Sequence, residues 1–146
     1  MIVGVGIDVV ETITFAAQIG EPGTRFMGAF TSRERRNAQA RAAAHAVPGE
    51  QADLSTHLAA RWAAKEAFIK AWSSAMVGQP PVISPENVVW TEIEIIQDQW
   101  GRPSIQLHGD VARLVEHTLG GIRVHVSMSH DGGVASAVVT IEGSIP

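Results

Sequence analysis

Two carboxylates and a lysine carry the chemistry this chain is equipped to do. Asp8 interrupts a run from Ile2 to Val10 that is otherwise valine, isoleucine and glycine. An ionised acid in such a run is costly unless it meets a cation or a metal. Glu66 and Lys70 stand four apart in Arg61-Trp62-Ala63-Ala64-Lys65-Glu66-Ala67-Phe68-Ile69-Lys70-Ala71, a spacing that puts both on one face of a helix. Two carboxylates with few other protein ligands suit Mg²⁺, which keeps several waters and takes phosphate oxygens. A lysine one turn away can neutralise charge on a transferring phosphoryl group. Each residue also has a plainer reading. Asp8 could be a strand-end acid in water, and Glu66 with Lys70 an exposed pair worth about 0.2–0.5 kcal/mol. The working expectation is that Asp8 and Glu66 converge on a divalent cation and a phosphate-bearing ligand.

Other polar residues are less specific. Ile122 to Met128 alternates, and the alternation carried on points His130 inward and His125 outward. His130 is either a core or turn histidine with satisfied nitrogens, or a group that contacts phosphate or moves a proton. Ser127 and Ser129 lack the G-x-S-x-G setting of a nucleophilic serine. His45, His57, His108 and His117 show no metal-ligand spacing. Gly101-Arg102-Pro103 is either a plain hairpin turn or exposed backbone lining a base-binding pocket.

The elements that must position these groups follow from periodicity. Ile2 to Val10 reads as a buried strand. Gly4-Val5-Gly6 opens like a dinucleotide fingerprint, but its last glycine is missing and Asp8 breaks it, which argues against a Rossmann unit. Thr12 or Thr14 is expected to cap a short helix through Ile19, ended by Gly20 to Gly23. Phe26, Met27 and Phe30 suggest a further helical turn. Thr31 and Glu34 form a capping-box pattern, so a helix to about Ala44 is expected, carrying Arg33, Arg35, Arg36 and Arg41. A loop from His45 to Gln51 precedes a long helix capped by Asp53 or Ser55. Its Leu58, Trp62, Ile69 and Trp72 make one broad apolar stripe. Lys65 falls inside that stripe, so it either snorkels out or the helix is gripped on more than one side. Ala59 and Ala63, beside Glu66 and Lys70, leave room for a ligand.

After a loop from Val77 to Asn87, Val88–Ile96 and Ser104–Leu107 read as a hairpin. Asp110 is expected to cap a helix closed by Gly120-Gly121. Ile122–Met128 and Val134–Ile141 read as strands joined at Asp131-Gly132-Gly133. The pattern is a single α+β domain over residues 1–146, with a mainly antiparallel sheet packed against a long helix.

Composition bounds the function. The 146 residues are 45% apolar, enough for a sizeable core. A net charge of −4 argues against a dedicated nucleic-acid binder. With no cysteine, disulfides, zinc–thiolate sites and cysteine nucleophiles are excluded. No secretory signal or membrane-spanning run is seen, so a cytoplasmic protein without a membrane partner is expected.

Taken in order, Gly6-Ile7-Asp8-Val9-Val10-Glu11, Phe30-Thr31-x-x-Glu34, the Arg61–Ala71 run, Gly101-Arg102-Pro103 and His125-Val126-Ser127-Met128-Ser129-His130 resemble the holo-[acyl-carrier-protein] synthases. These are the small class of 4′-phosphopantetheinyl transferases. The resemblance spans nearly the whole chain. It implies Mg²⁺-dependent transfer of 4′-phosphopantetheine from coenzyme A to a serine of apo-acyl carrier protein, free or as a carrier domain of a fatty acid synthase. By motif, Asp8 and Glu66 would ligate Mg²⁺ at the pyrophosphate and Lys70 would stabilise charge there. Arg61, Lys65 and His130 would lie near the coenzyme A phosphates, and Gly101, Arg102 and Pro103 would help hold the adenine. The resemblance implies a homotrimer with sites between subunits, and makes Arg25, Arg33, Arg35, Arg36 and Arg41 a docking patch for an acidic carrier. The chain departs from the family at Ser73-Ser74-Ala75-Met76, where glycines are usual, and in longer stretches at 45–53 and 77–87. Two alternatives are another Mg²⁺-dependent phosphoryl-group enzyme and a non-catalytic coenzyme A-binding module.

Overall fold

The computed structural model describes residues 1–50 and 53–144. Gln51 and Ala52, at the end of the expected loop, lie outside the described residues. The chain begins with strand β1 (Ile2–Glu11), which runs directly into helix α1 (Thr12–Gly20). A 3-10 turn at Phe26–Ala29 leads to α2 (Ser32–His45) and then to the 22-residue α3 (Leu54–Ala75). Two further 3-10 turns precede β2 (Ile93–Gln97), β3 (Pro103–Leu107), α4 (Gly109–Leu119), β4 (Arg123–Asp131) and β5 (Val134–Glu142). The strands form two antiparallel sheets, one ordered β1-β5-β4 and the other the β2-β3 hairpin.

The helix starts are built locally. Thr31 Oγ1 accepts from Glu34 N at 3.1 Å and Glu34 Oε1 accepts from Thr31 N at 2.9 Å, so the capping box forms as the sequence indicates. Asp53 Oδ1 accepts from the Ser55 and Thr56 amides at 3.1 and 3.3 Å, which settles the cap of α3. Two expected caps differ. The residue before α1 is Glu11, and Thr12 Oγ1 instead donates to Gly133 O at 3.0 Å, tying the β1–α1 junction to the β4–β5 turn. Asp110 does not cap α4. Its neighbour's amide, Val111 N, is taken by Glu92 Oε2 at 2.9 Å from the preceding 3-10 turn. That turn, Trp90–Glu92, also replaces the first half of the expected strand from Val88.

Helix α3 organises the molecule. It packs against β1, β5, α2 and α1 and contributes to both apolar clusters. Ala63, Ala64, Ala67, Phe68, Ala71 and Trp72 belong to one cluster, Leu58, Ala59 and Ala60 to the other. The helix is therefore gripped on several sides, and one amphipathic stripe does not describe it. Ala59 and Ala63 are filled against by the protein itself and leave no opening for a ligand.

Lys65 is the clearest consequence. It is fully buried with Glu34, and its Nζ donates to Glu34 Oε1 at 2.8 Å, Trp90 O at 2.9 Å and Ile93 O at 2.6 Å. An ammonium has three donors, so none is left. Glu34 Oε2 in turn accepts from Ile95 N at 3.1 Å. The lysine that resemblance assigns to the coenzyme A phosphates is instead the core bolt joining α2, α3 and β2. Its position on an apolar stripe is explained by Glu34, without a neighbouring subunit.

Gly4 and Gly6 let β1 lie on the backbone of α3. A side chain at Gly6 would collide with the Ala67 carbonyl, and one at Gly4 with that of Ala71. This close approach, not nucleotide binding, is what the paired glycines serve.

Candidate active site

Asp8 follows Gly6 by two residues and so faces α3 as Gly6 does. The close strand–helix approach sets its carboxylate beside the Glu66–Lys70 flank. Asp8 is 7% exposed. Its Oδ1 accepts from Lys70 Nζ at 2.7 Å, while its Oδ2 is buried with no hydrogen-bond partner among the described residues. Glu66 is half-buried beside it. Burial, and then the hydrogen bond and charge of Asp8, push the Glu66 carboxyl up to about 7, against the opposing pull of Lys70. Lys70 itself is raised, chiefly by its hydrogen bond to Asp8. The structure thus brings together the three residues that the sequence singles out. Among the described residues only a protonated Glu66 can serve Asp8 Oδ2, so ionisation of Glu66 leaves that oxygen orphaned beside a second carboxylate. Two facing acids with too little compensating charge make a donor pair that a hard divalent cation satisfies. Among the described residues no third His, Cys, Asp or Glu joins them, which fits a cation that keeps water and takes ligand oxygens rather than an all-protein cage.

A second constellation lies on the far edge of the sheet. A recess of about 230 Å³ is lined by Arg41, His57, Arg61, Gly101, Pro103 and His130, among others. Arg61 is 1% exposed. It donates to His57 O and to Gln97 Oε1, each at 2.9 Å, and its Nε is buried without a partner among the described residues. Among the described residues no acid pairs with it, and burial lowers its proton affinity. Gly101 has a φ of 84° and lies under the Arg41 guanidinium, where any side chain would collide. His130 does share a sheet face with Met128, but at the open end of β4, so it is exposed rather than buried. Four residues assigned by motif to the coenzyme A side, Arg61, Gly101, Pro103 and His130, therefore meet in one cationic recess. Arg102 does not join them. Its side chain is 75% exposed and lies over the Trp100 ring at 5.1 Å.

Sequence reading missed three members of this recess. His45 and His57 come from different helices, and Arg41 was grouped with the surface arginines. Only folding stacks the His45 ring on His57 at 5.9 Å and sets His57 edge-on to His130 at 5.8 Å. The arginine group is also divided. Arg33 is spent on Glu94, at 2.6 and 3.3 Å, and the hydrogen bond from Arg33 leads the causes that hold the Glu94 carboxyl down to about 2. Arg25 and Arg36 stay exposed.

The two constellations occupy opposite edges. Asp8 is in register with Ala137 and His130 with Ala135, with β5 between their strands. Two strand spacings amount to roughly 10 Å, and α3 lies across the gap. The sheet face turned away from α3 is open, apolar along β1 and polar along β4, where Arg123, His125, Ser127 and Ser129 are exposed. Val5, Ile7 and Val9 are 56%, 62% and 61% exposed, and Val138 is 40% exposed in register with Ile7.

Known proteins resemble this chain along nearly its whole length. The family described as ACPS, 4′-phosphopantetheinyl transferase superfamily, matches residues 4–135. A holo-[acyl-carrier-protein] synthase of Corynebacterium glutamicum is 45% identical over 142 residues, covering 96% of this chain and 99% of that one. The same-named protein of Mycobacterium ulcerans is 45% identical over 143 residues, covering 98% of each. Among solved structures, a Chronobacterium ammoniagenes ACPS–CoA complex superposes with a TM-score of 0.88 at 44% identity, covering 97% of both chains. The acyl carrier protein synthase of Mycobacterium tuberculosis gives 0.73 at 38% identity, covering 99% of this chain and 100% of that one. With its two carboxylates, its lysine and its cationic recess set on this fold, the chain belongs to the 4′-phosphopantetheinyl transferase superfamily.

Proposed function

We propose that this protein transfers 4′-phosphopantetheine from coenzyme A to a serine hydroxyl of an apo-acyl carrier protein, releasing adenosine 3′,5′-bisphosphate, in fatty acid synthesis. The observation that carries the reading is the Asp8–Glu66–Lys70 centre, with a buried carboxylate oxygen that loses its donor when Glu66 ionises, in a chain that matches a holo-[acyl-carrier-protein] synthase over 96% of its length. Asp8 and Glu66 are the residues that would hold Mg²⁺. Bound there, the ion would supply positive charge against the donor pyrophosphate.

The chain's own groups do the rest. The serine oxygen attacks the β-phosphorus of the donor. The bond from that phosphorus to the bridging oxygen breaks, and the bisphosphate leaves with the electron pair. Lys70, more than half exposed and fixed by Asp8, supplies a cation where negative charge grows. Glu66 and His130 are the alternative acceptors of the serine proton. The recess of Arg61, Gly101, Pro103 and His130 takes the adenosine bisphosphate half, a role its unpaired Arg61 Nε supports.

One chain keeps these halves apart, so we assign the complete site to the seam between copies, in a homotrimer assembled through the exposed Val5–Ile7–Val9 face. The exposed Arg25 and Arg36 remain as contacts for an acidic carrier; Arg33, tied to Glu94, is withdrawn from that role. Residues 1–146 act as one catalytic unit, since α3 serves both apolar clusters. No helix among the described residues is long and apolar enough to cross a membrane.

The test is to mix the protein with apo-carrier, coenzyme A and Mg²⁺ and to weigh the carrier. A gain of one phosphopantetheine is expected. Cleavage of coenzyme A with an unmodified carrier would indicate a phosphoryl-group hydrolase, and binding without cleavage a silent module.

A further inference from the structure

The recess holds more cationic capacity than its motif residues explain. His57, half-buried on α3, is edge-on to His130 of β4 and stacked on His45 of α2. Arg61 stands one turn along the same helix and Arg41 lines the same recess. Against these, the acids that border the adjoining hollows among the described residues are Glu50, Asp53 and Asp131, and Asp53 is already engaged in capping α3. Burial, and then the charges of Arg61, His130 and His45, keep His57 below the ordinary imidazole range; Asp53 opposes them weakly. An imidazole so placed is mainly neutral at neutral pH and gains a proton when an anion arrives. The buried, unpartnered Arg61 Nε is a separate sign that the pocket is built for an anion.

We infer that His57, backed by His45 and His130, is a proton-carrying contact to a phosphate monoester and sets a preference for donors that bear one. The inference rests on the reading that this recess takes the adenosine bisphosphate half of the donor. Coenzyme A carries a 3′-phosphate monoester there and dephospho-coenzyme A does not. The direction of pH dependence follows. A dianion beside His57 favours its imidazolium, so binding takes up a proton, and affinity grows as pH falls from 8 towards 6.5. The phosphate's own second ionisation, with a pKa of about 6, runs the other way, since binding of the dianion expels a proton. Net uptake therefore reports the imidazole.

Calorimetric titrations of the full-length protein with coenzyme A and with dephospho-coenzyme A, in buffers of different ionisation enthalpy, measure this uptake directly. Uptake is expected with coenzyme A alone. The preference for coenzyme A should grow roughly three- to ten-fold between pH 8 and 6.5, as one added charge contact would give. His57→Gln should lose both effects. His57→Lys should keep the preference while losing the uptake and the pH dependence, which a merely structural histidine would not produce. Equal proton uptake with both nucleotides, or wild-type uptake in His57→Gln, would overturn the inference and leave the proposed function standing. Failure to bind coenzyme A at any pH would overturn both.

Discussion

At the residue scale, Glu66 and Glu94 show how the same side chain is set to opposite ends of its range. Arg33, Thr31 and His108 hold Glu94 ionised, whereas burial and Asp8 hold Glu66 protonated up to about pH 7. A carboxyl raised in the folded state binds a proton that the unfolded chain has released, so its contribution to stability is lost as pH rises from about 4.5 to 7. The metal-free protein should therefore lose thermal stability across that window, and Glu66→Gln should flatten the decline. Glu94, shifted down, contributes above pH 4.5 and is lost as pH falls towards 2. Millimolar Mg²⁺ at pH 8 should raise the melting temperature of the wild type and leave Asp8→Ala and Glu66→Ala unmoved. An equal rise in all three, followed by differential scanning, would sink the metal assignment.

At the scale of elements, the site depends on how closely β1 lies on α3. Gly6→Ala puts a methyl against the Ala67 carbonyl, and overpacking of this kind costs about 1–3 kcal/mol. The strand must also lift, carrying Asp8 away from Glu66. Urea unfolding should show the loss of stability, and transfer activity should fall more than the stability change explains. The Glu34–Lys65 bolt has a different signature. Lys65→Met leaves an unpaired buried carboxylate and should cost about 3–5 kcal/mol, while Glu34→Gln with Lys65→Met removes that charge, keeps a side-chain oxygen to accept a backbone amide, and should cost less. Matching losses in the single and double variants would refute the pairing. The Phe30-Thr31-x-x-Glu34 motif is thereby explained as a fold device: one glutamate closes a capping box, accepts the Ile95 amide and neutralises the buried lysine.

At the scale of the whole molecule, an open apolar strip along β1 and a site split across two edges point to the same assembly. Ile7→Asp changes a residue that is 62% exposed in the single chain, so the fold should survive. Sedimentation should show a trimer for the wild type and a monomer for the variant, and the variant's transfer activity should collapse. An active wild-type monomer would remove the assignment of the site to a seam between copies.

The sequence by itself determined the parts whose signals are local. The Thr31 capping box, the glycine turn after β4, the long helix and the Glu66–Lys70 face all depend on residues a few positions apart, where helix and strand geometry decide who meets whom. The order of short motifs added the family. The tertiary structure decided what depends on distant partners. Lys65 looked like a phosphate ligand by motif, but Glu34 and two carbonyls of the β2 approach consume its donors. Asp110 looked like a cap until Glu92 arrived from another element. The stacking of His45, His57 and His130 exists only because α2, α3 and β4 end at one corner. Asp8 and Glu66 belong to both accounts. Their types and settings in the sequence named them as a pair, but the orphaned oxygen and the raised carboxyl follow from two glycines that let a strand lie against a helix backbone.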